Sequence, residues 1–579
     1  MKSTLKTEMI QPLLSVARRY SSMPEYATLA AAYVAMLAAR QGMTFPLPEL
    51  RKILAGAGYL PAYVRSFIED MVGGHWSEYQ QSCGAFDEEM IADFFAAEAI
   101  CLLMEAREDS SVHPAIDNLC TGLLKIKKGD SVADLNCGIG KFVQKSWFAL
   151  WNAVGSDEGL SVVGYTPNSR LAAIAWIVCD VDGVKAKILN ESLFTRTDAR
   201  YDKVMVVPPF GFEARQLNIL EVADSIAVKF EKFPEVRLSS AEWLFAARAA
   251  ALLKKDGRAI VAMPMNALNG AQSEVYREHL IRKKMIEAVI SIPAKHFMNG
   301  TGIGFAIVVL HDNSNEIKFV NGEEYYVEVA GSPSIDVPAL LRDYDNLNDF
   351  DAVTTRQLDS VFASDFNLTP DYYLGDDLVY NNSSPIGEFV QEIKRGAKLT
   401  TATWKKYETA EITKIKKVAF KNFGDGLVDE ELPGLSAVPE GAGAAVLQDG
   451  DLIISRMGIP FKMAVVQLGI DETLVADENV WICRMRGDKR RAYFLRAFLE
   501  SEIGLKWLAR LSTGATVRTI SAKNLEKIPV PNLDAKTREV IAEELERNTI
   551  IVRENRKRFA DSFAKMKNVY KEICKNGGY

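Results

Sequence analysis

Nowhere is this chain apolar for the roughly 18 to 20 residues a bilayer span needs. The N-terminal MKSTLKTEMIQPLLSVARRYSS lacks the basic-then-apolar pattern of a leader. The longest apolar stretch, around Ala27 to Ala39, is alanine-rich and too short, and reads as a buried helix. These absences predict a cytoplasmic protein that does not enter a membrane. Histidine is scarce, with five in all. The seven cysteines (Cys83, Cys101, Cys120, Cys137, Cys179, Cys483 and Cys574) form no C-x-x-C pair and have no histidine at ligand spacing. Disulfide frameworks and zinc ribbons are thereby excluded, leaving buried reduced thiols and no metal as the expectation. Positive charge is not in excess either. A formal net charge of −7 excludes a uniformly basic nucleic-acid binder, but local Lys/Arg patches can still bind phosphate.

Apolar and charged residues, at 48% and 25%, are those of a globular protein, and 579 residues predict roughly three or four domains. Residues 1–110 read as helical, with 3.6-residue periodicity in Glu25 to Arg40 and Glu88 to Ala106. Over 111–312 short apolar runs (DSVADL, SVVGYT, KVMVVPPF, GRAIVAMP, IEAVISIP, FAIVVLHD) alternate with helical stretches. Strands separated by helices predict a doubly wound, mostly parallel sheet. Residues 313–385, rich in Asn, Asp, Ser and Pro, read as a connector, and 386–533 as a small β-rich domain. The tail, 534–579, has the pattern of one long polar helix.

The segment VADLNCGIGKF places an apolar strand ending at Asp134, then Gly138 and Gly140, before a helical continuation. Glycines at a strand-to-helix turn admit a ligand to the backbone, although a lone G-x-G also serves packing alone. Farther on, KVMVVPPFGF sets two prolines after a buried-type strand, so the chain leaves the sheet at its ligand-binding edge.

The order D-x-x-C-G-x-G-x-F, x-P-P-F-G, SAEWLFAARAAALLKKDGRAIVAMPMNAL and MIEAVISIPAKHFMNGTGIGFAIVVL resembles the amino-methyltransferases. It is most similar to the modification subunits of type I restriction-modification systems. Leu253, Gly257, Arg258, Pro264, Val289, Ile290, Pro293, Phe297, Thr301, Gly302 and Ile303 match the later part of the pattern, and the resemblance spans roughly 85–310. It implies a Rossmann-like adenine-N6 DNA methyltransferase domain using S-adenosylmethionine, with Asp134, Gly138, Gly140, Thr166 and Glu191 at the cofactor and Val207, Pro208, Pro209 and Phe210 at the base. In that family the first residue of the tetrapeptide is Asn or Asp, accepting hydrogen bonds from the adenine amino group, and the aromatic stacks on the flipped base. Val207 cannot accept. Phe94-Phe95-Ala96-Ala97 stands where the family has F-Y-T-P, Thr166 where it has an acid, and Glu191 where it has Asp.

DFNLTPDYYL, residues 365–374, resembles the family's lead into its specificity region. GDLIISRMG, ENVWICRMR, YFLRAFLES and STGATVRTISAKNLEKIPVP resemble one target-recognition domain of a specificity subunit; a β-rich interaction domain without a DNA role is the alternative. The basic stretch 394–421, interleaved with Trp404, Tyr407 and Phe420, predicts phosphate contacts by Lys394, Arg395, Lys405, Lys406, Lys414, Lys416 and Lys417, against the alternative of a solvated face. Arg456 and Arg518 are candidate base readers, since Arg pairs bidentately with guanine. In the tail, Leu545, Val552, Phe559, Met566 and Ile573 recur every seven residues, with Ala542, Thr549, Phe563 and Tyr570 alongside. That heptad predicts either a homodimer or packing on the chain's own domain. Three functions stand open: a methyltransferase with its own DNA-recognition domain, an inactive DNA-recognition scaffold partnering a restriction or defence subunit, or a transferase acting on RNA or another amine.

Overall fold

Burial alternates residue by residue along the strand before the two prolines. Val204 and Val206 lie in the apolar core on one side of the sheet, Met205 and Val207 in that on the other. A strand with two buried faces belongs inside a three-layer α/β unit. The computed structural model describes residues 12–83, 113–156, 158–208, 217–236, 241–295, 297, 302–329, 331–346, 352–374, 382–458, 460–512 and 518–576. It divides into two units, Met1–Gly375 and Asp376–Tyr579.

The first unit holds β1 (Ser131–Asp134), β2 (Ser161–Tyr165), β3 (Lys187–Leu189), β4 (Tyr201–Val206), β5 (Leu253–Pro264), β6 (Ile286–Ile292), β7 (Phe305–His311), β8 (Glu316–Asn321) and β9 (Val353–Gln357). They form one sheet in the order β9-β8-β6-β7-β5-β4-β1-β2-β3. Pairing from β5 through β4, β1 and β2 to β3 is parallel, whereas β7 runs antiparallel to both β5 and β6. The order reverses between β1 and β4, the topological switch point where ligands bind in open α/β sheets. Segment 313–385 is thus not only a connector: β8 joins β6 in parallel and β9 joins β8 antiparallel. Ile317, Phe319, Val320 and Val353 are buried there, in runs too short to stand out among polar neighbours.

Helices α5 (Pro114–Leu124), α6 (Lys141–Val154) and α7 (Ser169–Val181) cover one face, α8 (Ala241–Ala251) and α9 (Glu274–Arg282) the other. At the N-terminus α1 (Pro24–Arg40), α2 (Leu50–Gly56), α3 (Ala62–Val72) and α4 (Trp76–Ser82) build a helical cluster whose core includes Ile174, Ile177 and Val178 of α7. Helix α1 is apolar almost all round, and accordingly Tyr26 through Ala38 are buried. Arg40 pairs with Asp180 at 2.5 Å, and the Tyr33 hydroxyl donates to the same carboxylate. The expected helix Glu88 to Ala106 lies outside the described residues.

The second unit contains β10 (Val390–Arg395), α10 (Thr401–Tyr407), β11 (Glu408–Thr409), β12 (Ile415–Val418), β13 (Gly434–Leu435), β14 (Leu452–Ser455), β15 (Met463–Val465), β16 (Thr473–Ala476), β17 (Val480–Met485) and α11 (Arg490–Leu499), ending in α12 (Ala535–Asn576). Two four-stranded sheets, β10-β17-β14-β15 and β11-β13-β12-β16, carry its core. Helix α12 runs 42 residues. Its first turns pack on α11: Ala542 and Thr549 are buried, Arg490 bridges to Glu539 and Glu543, and Arg496 donates to Thr549 Oγ1. From Val552 the apolar stripe is open, with Phe559 at 73% exposure and Met566 at 68%. Packing on the chain's own unit, one of the two expectations for the heptad, thus describes the start of the helix, while Val552, Phe559 and Met566 farther on are exposed. The side chains of Tyr570 and Ile573 lie outside the described residues.

Among the described cysteines Cys83, Cys120, Cys137, Cys179 and Cys483 are buried free thiols. Burial pushes Cys83 and Cys179 up to about 12, so neither is a thiolate at neutral pH. Among the described residues no helix is long and apolar enough to cross a membrane, and no group of three or more metal-ligating side chains occurs.

Candidate functional site

The C-terminal ends of β1 and β4 lie side by side, Asp134 opposite Met205. The pairing continues past the strands, with Leu135 N donating to Met205 O at 2.9 Å. One step on, the Asn136 side-chain amide donates to Val207 O at 2.7 Å, while Asn136 N donates to Asp134 Oδ1 at 3.1 Å. Asp134 is 5% exposed, Val207 8%, and Asn136 is half-buried at the rim. Pro208 is buried; Pro209 and Phe210, expected at the base pocket, lie outside the described residues, as do Phe94 to Ala97.

The glycine turn forms as the sequence demands. Gly138 and Gly140 have φ of +51° and +85°, left-handed values that side-chain-bearing residues rarely take. Gly140 has a second constraint, since a Cβ there would stand 3.3 Å from the Ala175 backbone of α7. Its absence of side chain thus serves helix packing, whatever the turn holds. Gly140 caps α6 without a side-chain bond, leaving the first amides of that 14-residue helix facing the same edge.

Next along, Thr166 follows β2 and is 1% exposed. Its N donates to Leu189 O, Asn190 Nδ2 donates to its carbonyl, and its Oγ1 accepts from Asn168 N at 3.4 Å. Thr166 is therefore built into the β2–β3 edge, and Glu191, just past β3, is exposed. Tyr63 of the N-terminal cluster reaches the same edge, donating to Ile188 O, and burial pushes its hydroxyl up to about 12. At the opposite end of the strands Asp202 anchors β4 to β1. Burial alone would raise its pKa, but hydrogen bonds from Lys254 and from Ser131 N and Oγ outweigh it and hold Asp202 at about 2.

In the second unit the basic stretch is largely neutralised. Lys394 pairs with Glu392, Arg395 with Glu478, Lys414 with Asp471, Lys416 with Glu472 and Lys417 with Glu408. For Lys414 and Lys416 the cause is strand pairing: β12 runs parallel to β16, and Asp471 and Glu472 immediately precede β16. Only Lys405 and Lys406, exposed at the end of α10, keep unpaired ammonium groups from the expected set. Lys398, Lys421 and Lys462, which sequence reasoning did not single out, are likewise exposed and unpaired among the described residues. Arg456 lies over the Trp481 ring at 5.2 Å and donates to Glu478 O, and Arg518 donates to Ala509 O, so both expected base readers are tied into their own unit.

This arrangement, a glycine turn beside a proline-bearing strand end at a switch point, coincides with the comparison. Residues 114–379 match the N-6 DNA Methylase family. The chain is also similar to two Methanocaldococcus jannaschii proteins. The type I restriction enzyme MjaVIII methylase subunit is 21% identical over 308 residues, 48% of this chain and 52% of that protein. The MjaVII methylase subunit is 22% identical over 360 residues, 57% of this chain and 60% of that protein. The chain thus spans between half and three-fifths of the length of these curated relatives. Among solved structures, the type I restriction-modification system methyltransferase subunit from Streptococcus thermophilus aligns with a TM-score of 0.45 at 16% identity, covering 64% of this chain and 99% of that one. The family match extends through β8, β9 and the DFNLTPDYYL segment, beyond the 85–310 span of the resemblance read from sequence.

Proposed function

We propose that this chain is a DNA adenine-N6 methyltransferase of the type I modification kind, whose first unit transfers a methyl group and whose second recognises double-stranded DNA. The observation that carries it is the meeting, inside the family-matched block, of the Asp134–Gly140 turn with the Val207-Pro208 strand end. S-adenosylmethionine fits the donors present. Asp134 would take its methionine end and the exposed Glu191 its ribose, with the buried Thr166 holding the edge from which Glu191 projects. When bound, it supplies an electrophilic methyl on a sulfonium. The chain's own residues would hold the two reactants in line at the switch-point edge, and Phe210 would stack on the extruded base. Calorimetric titration with S-adenosylmethionine, with and without duplex DNA, tests this: stoichiometric binding is expected, and its absence under both conditions removes the methyltransferase reading.

One observation favours a second reading. Val207, at the position of the family's acceptor, is apolar and turned into the core, which suits a scaffold that recognises DNA and partners an active restriction or defence subunit.

For the second unit, the unpaired lysines are the phosphate contacts. Changing Lys405 and Lys406 together to Ala should weaken duplex binding about tenfold and flatten the log–log salt dependence by about two. The same change at ion-paired Lys414 and Lys416 should do little, since Asp471 and Glu472 already neutralise them. Binding measured at several salt concentrations decides, and equal losses for the two pairs would refute the assignment.

The open half of α12 takes a second copy of the chain. Replacing Phe559 and Met566 by Ser should convert a dimer to a monomer in sedimentation without lowering the melting temperature. A wild-type protein that sediments as a monomer at tens of micromolar removes the dimer.

A further inference from the structure

The group Val207 lacks has not left the site: it sits one strand over. Past the paired ends of β1 and β4, Asn136 lies beside Val207 and is bound to its main-chain oxygen at 2.7 Å. Which way the carboxamide points follows from chemistry. A carbonyl oxygen only accepts, so the atom facing Val207 O must be the Nδ2 donor, and Oδ1 necessarily faces away from it. The ring of contacts that fixes Asn136 is completed by Asp134, which accepts from Asn136 N at 3.1 Å. Oδ1 has no partner among the described residues, and the side chain is half-buried at the rim rather than sealed in the core.

The neighbouring side chain behaves in the opposite way. Val207 continues the alternation of β4 and packs in the core cluster that includes Met205, Ile260, Ala262 and Phe305. An acceptor on residue 207 would be turned into hydrocarbon, whereas the oxygen of Asn136 is oriented and anchored, with no partner among the described residues.

Resting on the methyltransferase reading above, we propose that Asn136 Oδ1 is the acceptor for the adenine amino group, performing from the end of β1 the task for which Val207, at the end of β4, has no atom. In the transfer the amino nitrogen's lone pair forms the new bond to the donor methyl carbon. The carbon–sulfur bond breaks with its electron pair going to sulfur, and one proton of the amino group departs to water. An amide oxygen accepting an N–H bond draws the lone pair out of conjugation with the ring and aims it at the methyl. Asn136 does not take up the proton; it orients the nitrogen and stabilises the positive charge that grows on it.

The test uses the full chain and two variants. Asn136→Ala removes both the oxygen and the tether to Val207. Asn136→Asp keeps an acceptor, exchanges the N–H that holds Val207 O for an oxygen and adds a negative charge. Methyl transfer is measured from labelled S-adenosylmethionine to unmethylated genomic DNA, which contains every short recognition sequence. S-adenosylmethionine affinity is measured alongside by calorimetry. Binding of adenosine, with S-adenosylhomocysteine saturating the cofactor turn, is read by saturation-transfer NMR. Asn136→Ala should lose about 10²-fold in kcat, bind adenosine more weakly, and keep its S-adenosylmethionine affinity within about twofold. Asn136→Asp should retain clearly more of the rate than Asn136→Ala. An alanine variant as fast as wild type overturns the proposal. So does an aspartate variant that falls as far as the alanine one, because the side chain would then be only a tether. A wild-type protein that binds S-adenosylmethionine yet transfers nothing overturns it too. Failure to bind S-adenosylmethionine at all is a different result, which removes the methyltransferase reading and this inference with it.

Discussion

Replacing Arg277 by Met should cost the first unit about 3–5 kcal/mol, a large part of the roughly 5–15 kcal/mol that holds a domain together. Arg277 is 1% exposed, on α9. Its Nε donates to Phe366 O at 2.8 Å, and its Nη1 donates to Ala267 O, Gly270 O and Ser273 Oγ at 3.1, 2.8 and 2.6 Å. Burial lowers its pKa to about 10, so it remains charged at neutral pH and is stabilised by oxygens rather than by a carboxylate in bonding contact. Methionine fills the space but donates nothing, leaving several acceptors without that donor in a dry site.

The damage should be local in origin. Phe366 and its neighbour Asp365 both have φ of +55°, an uncommon left-handed pair without glycine, and the bond from Arg277 holds that turn. Beyond it, Leu368 N donates to Leu268 O, Asn269 donates to Thr369 Oγ1, and Tyr373 stacks on Phe319 with centroids 4.0 Å apart. Hydrogen exchange in Arg277→Met should therefore accelerate in peptides covering 262–282 and 358–374 before the rest of the sheet, with urea unfolding giving the size of the loss. A variant within about 1 kcal/mol of wild type would mean that water replaces the guanidinium, which its burial argues against.

That clamp also explains a segment whose sequence is easy to read and easy to misplace. DFNLTPDYYL resembles a lead into the recognition domain, yet it packs on the sheet of the first unit through Tyr373 and Leu368. Other parts were legible because their causes are local. The turn at Gly138 and Gly140 needs left-handed backbone, and Pro208 needs an exit from the ladder; both appear where the motif spacing puts them. What was not legible depends on partners far along the chain. Lys414 and Lys416 read as a basic patch until β16, more than fifty residues later, brings Asp471 and Glu472 against them. Asn136 reads as one more residue of a glycine loop until β4 sets Val207 O beside it, a pairing across 71 residues. The inward direction of Val207 was readable in principle, from the period-two burial of KVMVV, but the motif drew attention to what the side chain lacks rather than where it points.

The direction of Val207 yields the second large effect. Val207→Asn, the change that would restore the family's tetrapeptide, should not increase methyl transfer and should destabilise the first unit by about 1–3 kcal/mol. Position 207 is 8% exposed, among Met205, Ile260 and Ala262 on the α5–α6 side of the sheet. Its main-chain oxygen accepts from the Asn136 side-chain amide, and among the described residues no hydrogen-bonding group stands ready for a polar side chain at this position. An amide placed there must either lose its hydrogen bonds in the core or rotate outward and displace Asn136 from the rim. In the first case the melting temperature falls and the rate stays as it was. In the second the rate falls as well, because two amides compete for one oriented position. Labelled-methyl transfer and thermal melting on Val207→Asn, and on Val207→Asn combined with Asn136→Ala, separate these cases. If the single variant is faster than wild type at unchanged stability, the acceptor belongs on β4 after all, and the site is a decayed one that the substitution repairs. If the double variant recovers what Asn136→Ala loses, the two positions are interchangeable supports for one oxygen, and the valine records a relocation of the acceptor rather than its loss.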